Sequence, residues 1–192
     1  MTRRLSVALV VWACVGVLGG CRKPTTPAAA FALFQKAVTN DDPEALFDAL
    51  DKRSRWAWMT VQKSHREAYD IILSNYPEGH ERERELRRFE RGATLGSARA
   101  LFAEQVGRGA LAKLPKPMPD AVRFEMASDG ENAFSVLPSH LSLPFRRGPD
   151  GSWGYAAFAD ESEERQKRAL GDVDMVRASA ADYERAASRN AR

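Results

Sequence analysis

Acid–base chemistry in this 192-residue chain would fall to Tyr69, Asp70, His140 and Tyr155, the residue types that proton transfer uses. A carboxylate or imidazole base working beside a tyrosine donor is the arrangement such chemistry needs. The spacing does little to assemble it, because Asp70 directly follows Tyr69 and adjacent helical residues point to different sides. His80-Glu81 begins like a zinc-protease motif, but HExxH requires a second histidine where this chain has Arg84. No glycine-rich phosphate loop, GxSxG elbow, dinucleotide fingerprint or metal-ligand cluster occurs. Tyrosines and tryptophans on apolar stripes are expected as core or rim aromatics with a satisfied polar tip. The chain therefore reads as non-enzymatic, with no cofactor and no metal. The residue whose chemistry the sequence does specify is Cys21.

Arg3 and Arg4 precede an uncharged apolar run of 14 residues, Leu5 to Leu18. A membrane-spanning helix needs about 20 such residues, and Arg22, Lys23 and Pro24 follow at once, so the run reads as the core of an export signal. Its end, Leu18-Gly19-Gly20-Cys21, resembles the lipobox of bacterial lipoproteins at all four positions. The resemblance implies that residues 1–20 are a signal peptide, that Cys21 accepts diacylglycerol and palmitate, and that it becomes the new N-terminus. Ser6 and Val7 stand where twin-arginine export prefers bulkier apolar residues, so Sec export is expected. Arg22, rather than Asp, follows the cysteine, which implies the outer membrane facing the periplasm.

Loss of the leader removes Arg3 and Arg4, leaving 27 of the 29 basic side chains against 26 acidic ones, so the formal charge falls from +3 to +1. No basic stripe interleaved with aromatics appears, and no nucleic-acid partner is expected. Cys14 leaves with the leader and Cys21 carries lipid, so no disulfide or free thiol is expected in the mature domain. The 172 residues that remain suit one domain, 27–192, behind a lipidated tether at 21–26.

Thr26-Pro27 and Asp42-Pro43 each pair a capping side chain with a proline at the first helical position. They predict two short helices forming a hairpin, with Phe31, Phe34 and Val38 on one face and Leu46, Phe47 and Leu50 on the next. A third helix is predicted from near Ser54 to Tyr76, its stripe being Trp58, Val61, His65, Ala68 and Ile72, thickened by Trp56. His65 is expected to be partly buried and to donate one hydrogen bond. The alternating charges of 78–91 predict a solvated helix supported by Glu78–Arg82 and Glu83–Arg87 pairs. Ser97 to Val106 predicts a further helix, loosened at Gly107. The helical half thus covers 27–112, and the proline-rich stretch 113–120 is a linker.

Residues 121–158 read as two successive hairpins. Val122, Phe124 and Met126 alternate, Asp129-Gly130 turns, and Ala133 to Leu137 returns. Leu141, Leu143 and Phe145 then alternate, 148–151 turns, and Trp153 to Phe158 forms the fourth strand. Residues 160–190 predict a last helix capped by Asp160 or Ser162, weakened at Gly171, with Leu170, Val173, Val176, Ala180, Tyr183 and Ala187 docking on the domain. The fold class expected is α+β: N-terminal helices packed on a four-stranded antiparallel sheet, followed by a C-terminal helix.

Phe31 to Leu50 and Gly148 to Ala157, taken with this element order, resemble the nuclear-transport-factor-2-like cone fold. That resemblance implies a curved sheet wrapped around helices and a pocket between them. The function expected is a membrane-anchored envelope lipoprotein whose domain binds a partner protein or a small apolar ligand. The alternative is an enzyme using the cone pocket with a carboxylate or histidine base, the candidates being Asp70 and His140 with Tyr69 or Tyr155 as donor.

Overall fold

In the computed structural model, residues 23–121 and 123–190 are described; the leader, Cys21 and Val122 lie outside them. Thr26 begins helix α1 (Pro27–Thr39) by accepting the Ala29 amide at 3.2 Å. Asp42 begins α2 (Pro43–Ala49) by accepting the amides of Glu44 and Ala45 at 3.0 and 2.9 Å. Both side chains satisfy donors that a helix start leaves without partners.

Helix α3 (Lys52–Asn75) starts earlier than the Ser54 expected, because Asp51 is its cap and accepts the Ser54 amide at 3.0 Å. Trp58, Val61, Ala68 and Ile72 are buried along its inner stripe. Trp56 is not part of that stripe: it lies 58% exposed, since two residues along a helix is about 200° around it. Helix α4 (His80–Thr94) holds the alternating charges. Arg87 pairs with Glu83 at 3.9 Å, but Arg82 turns to the Leu73 carbonyl at 2.6 Å instead of meeting Glu78. The helix is not solvated all round, for Phe89 and Gly92 are buried.

Ser97 caps α5 (Ala98–Phe102), and the helix does not loosen at Gly107. A π-turn at Ala103–Gly107 passes directly into α6 (Arg108–Leu111). A side chain at Gly107 would strike Pro43, so the glycine lets this segment lie against α2. The linker that follows is tied down: Gln35 donates to the Met118 carbonyl at 3.1 Å and to Asp120 at 2.9 Å, and Met118 is buried.

Strands β1 (Arg123–Met126), β2 (Asn132–Val136), β3 (Ser142–Arg147) and β4 (Trp153–Tyr155) form an antiparallel meander in that order. The register aligns Phe124 with Ser135, Leu143 with Ser135, and Phe145 with both Ala133 and Tyr155, so these side chains share one face. Phe31 and Phe34 of α1 cover that face, their rings lying 6.2 and 6.3 Å from Phe145. The cover thins at β1: the Phe31 ring meets Phe124 edge-on at 5.9 Å, but Phe124 and Met126 remain 37% and 53% exposed. Leu141 is exposed ahead of β3, and β4 ends at Tyr155 rather than Phe158 because the chain turns there into the last helix.

Helix α7 (Ala159–Asn190) runs parallel to α3: Trp58 Nε1 donates to Ser162 at 3.1 Å near their starts, and Asn75 donates to Glu184 at 2.9 Å near the far end of α3. Ser162 is therefore a buried acceptor inside the first turn and not the cap. Ala169, Val173, Val176 and Ala180 are buried, whereas Leu170 and Ala187 are exposed. Gly171 does not interrupt the helix. The architecture is α+β, with helices, a four-stranded antiparallel sheet and a C-terminal helix in that order.

Helix layer and sheet meet at one backbone seam. Leu50 bridges Tyr155 in parallel fashion, and the Asp51 amide donates to the Tyr155 carbonyl at 2.9 Å. A Cβ on Gly154 would stand 2.4 Å from the Leu50 carbonyl oxygen and 2.5 Å from the Asp51 Cα. Gly154→Ala is therefore expected to lower unfolding stability in urea by about 2–4 kcal/mol. Gly171→Ala, at an exposed helical site with nothing within 4 Å, is expected to raise it by about 0.5–1 kcal/mol in the same assay.

Candidate functional site

The four acid–base candidates do not converge. Tyr69 packs with the second core cluster on α3, beside Ile72, Phe89, Val173 and Val176. Asp70 points outward from the same helix and is exposed, and His140 sits exposed in the β2–β3 turn at φ 61°. Tyr155 belongs to the other cluster, its ring 4.2 Å from Phe34. Burial pushes its phenol up to about 12, so it stays protonated at neutral pH. It borders a depression of about 400 Å³ with Gln105, Lys113, Glu161 and Arg165, in which Arg165 and Glu161 pair at 2.8 Å. Among the described residues, no group of three His, Cys, Asp or Glu side chains is placed to hold a metal ion.

The larger surface feature was not foreseen from the sequence. A groove of about 730 Å³ runs between α3 and α5, with Phe47, Met59 and Trp56 among its walls and Lys63 and Arg99 at its rim. Met59 is 55% exposed there. Trp56 forms a ridge, with this groove on one side and on the other a smaller hollow of about 240 Å³ bounded by Lys52, Arg53, Arg146, Arg147 and Pro149. The one signal in the sequence is the Trp56–Trp58 spacing, since a helix that buries Trp58 must turn Trp56 outward.

The start of the described chain lies beside this hollow. The Trp153 amide donates to the Pro24 carbonyl at 2.8 Å, and Lys23 Nζ pairs with Asp150 at 3.0 Å. Lys52 meets the same carboxylate at 3.4 Å, and its ammonium lies 4.9 Å from the Trp56 ring centroid. The Ser152 hydroxyl, then Lys23, hold the Asp150 carboxyl below the usual carboxylate range. Lys23 and Pro24 are thus fastened to the β3–β4 turn. No protein-family model, curated protein or solved structure matches this chain. Among the described residues, no helix is long and apolar enough to cross a membrane.

His65 departs from its expected role. It is half-buried as foreseen, with its ring 5.7 Å from Phe89, yet Nδ1 has no hydrogen-bond partner among the described residues. A Cβ on Gly92 would lie 2.0 Å from that nitrogen, so the glycine is what allows α4 to cross α3 at this point. Burial lowers the imidazole pKa below 6.5, with Asp172 opposing and Arg88 adding to the effect. The unfolded chain then binds the proton more tightly than the folded one. Stability from this site is complete above pH 6.5 and is lost as pH falls through the lower folded value. Chemical denaturation midpoints at pH 7.5 and 5.5 should show this acid-side loss, and it should shrink in His65→Asn.

Proposed function

We propose that this chain is a lipid-anchored protein of the bacterial cell envelope, held by acyl chains on Cys21 in the outer membrane and facing the periplasm. Its domain works by binding rather than catalysis, taking a partner protein or a small apolar ligand. The observation that carries the reading is the order Leu18-Gly19-Gly20-Cys21 directly after an apolar run too short to span a bilayer. A second observation supports it: Lys23 and Pro24, two and three residues beyond the cysteine, already contact the folded domain at the β3–β4 turn.

The binding role draws support from the groove lined by Phe47, Met59 and Trp56, which offers apolar area beside Lys63 and beside Arg99, itself paired with Asp48. A catalytic role would need acid and base to share a site, but Tyr69 and Asp70 lie on different sides of α3, and His140 and Tyr155 lie elsewhere in the fold. The order of helical hairpin, longer helix and antiparallel strands supports the likeness to the nuclear-transport-factor-2-like cone, which remains part of the proposal.

Labelled palmitate is expected to enter the wild-type protein in cells and to be lost from Cys21→Ala, which should also accumulate as the uncleaved precursor. Equal labelling of the two forms would refute the lipoprotein reading.

A further inference from the structure

Chain connectivity places the Cys21 Cα within about 7 Å of the Lys23 Cα, because two residues extend no farther. Lys23 and Pro24 are fastened to the β3–β4 turn by the Asp150 ion pair and the Trp153 amide. Lipid on Cys21 would therefore enter the bilayer beside that turn. A soft tether would leave the domain free to tumble above the membrane, but here almost no slack remains between body and lipid.

The surface at that point has the chemistry of a bilayer contact. Trp56 is exposed at its centre, and indole favours the boundary between headgroups and acyl chains. Lys52 lies over the indole, and Arg53, Arg146 and Arg147 border the hollow next to it. With Lys23 these make five cations, against the acids Asp51, Asp150 and Glu163 and against Glu131, which lines the adjoining hollow with Arg147. Asp51 is buried and meets Arg146 at 3.4 Å, so it presents no charge outward. Arg147 is exposed and forms no ion pair among the described residues.

We propose that the Trp56 surface, with Lys52 and Arg147, docks on anionic phospholipid and so fixes the orientation of the domain on the membrane that holds Cys21. This rests on the lipoprotein reading. The acyl chains supply attachment, while the indole and the cations choose which side faces down. Each basic residue near an anionic surface gains electrostatic attraction that decays within a Debye length, so the docking weakens with salt while attachment does not.

The mature protein carries its own probe, because Trp58 and Trp153 are buried and Trp56 is exposed. Acylated wild-type protein, its lipid confirmed by mass spectrometry, is reconstituted into phosphatidylcholine vesicles with and without phosphatidylglycerol. Trp56 is then probed with acrylamide from the water side and brominated lipid from the membrane side. On anionic vesicles, acrylamide quenching should fall and brominated-lipid quenching should rise, and high salt should reverse both. Lys52→Gln and Arg147→Gln should each lower the docked-to-undocked ratio about fivefold while the protein stays vesicle-bound and its circular dichroism stays unchanged. Trp56→Phe fixes the background of the two buried indoles.

Trp56 equally open to acrylamide on both vesicle types, in protein shown to be acylated, overturns the docking and leaves the lipoprotein reading standing. Protection that depends on protein concentration rather than on lipid charge assigns the surface to a second copy instead. Protection in intact envelopes but not on vesicles assigns it to a protein partner, and either result overturns the proposal. An unacylated Cys21 defeats the lipoprotein reading itself, and the docking with it.

Discussion

The fold turns on two consecutive residues, Leu50 and Asp51. Their backbone pairs with Tyr155 at the end of the last strand, and the Asp51 carboxylate begins α3 while meeting Arg146 from the neighbouring strand. A buried carboxylate is costly unless its lone pairs are filled, and here a helix amide and a guanidinium fill them. The close passage is open only because position 154 carries no side chain. From this junction α3 leaves in one direction, and Tyr155 leads through a short turn into α7, so both long helices take their origin from one spot. The Trp58–Ser162 hydrogen bond then holds them side by side from their first turns. Parallel neighbours need a long return connection, and α4 to β4 provide it.

Much of this architecture was legible in the sequence. Thr26-Pro27 and Asp42-Pro43 mark helix starts through chemistry that is local and therefore readable. Alternating apolar residues and the Asp129-Gly130 turn mark the meander equally well. The errors arise where tertiary contacts decide. Asp51 and Ser54 are both plausible caps, and only the seam with Tyr155 selects the first. Gly107 reads as a breaker until Pro43 is seen pressed against it. Leu170 outranks Ala169 in hydrophobicity, but α3 approaches closely and the smaller side chain lies on the inner stripe. Met126 alternates correctly for a covered strand, yet α1 meets β1 through Phe31 and Phe124 and leaves Met126 53% exposed.

The surface features were less legible, for a different reason. The groove walled by Phe47, Met59 and Trp56 draws on helices far apart in the chain, so no window of sequence contains it. The nearness of Lys23, Asp150, Lys52 and Trp56 likewise depends on the β3–β4 turn folding back on the first described residues. What periodicity does show is that Trp56 and Trp58 cannot share a helix face. A residue as large as tryptophan left outside marks a surface worth inspecting.

The parallel course of α3 and α7 also sets a height. At about 1.5 Å per residue, the 24 residues of α3 span about 36 Å and the 32 residues of α7 about 48 Å. Both begin at the end of the molecule where Lys23 and Pro24 are fastened. Toward their far ends the Tyr76 and Tyr183 rings meet edge to face, 4.9 Å apart, and α7 continues beyond them to Asn190. If Cys21 carries lipid as proposed, the length of these two helices caps the reach of the domain at a few nanometres from the bilayer.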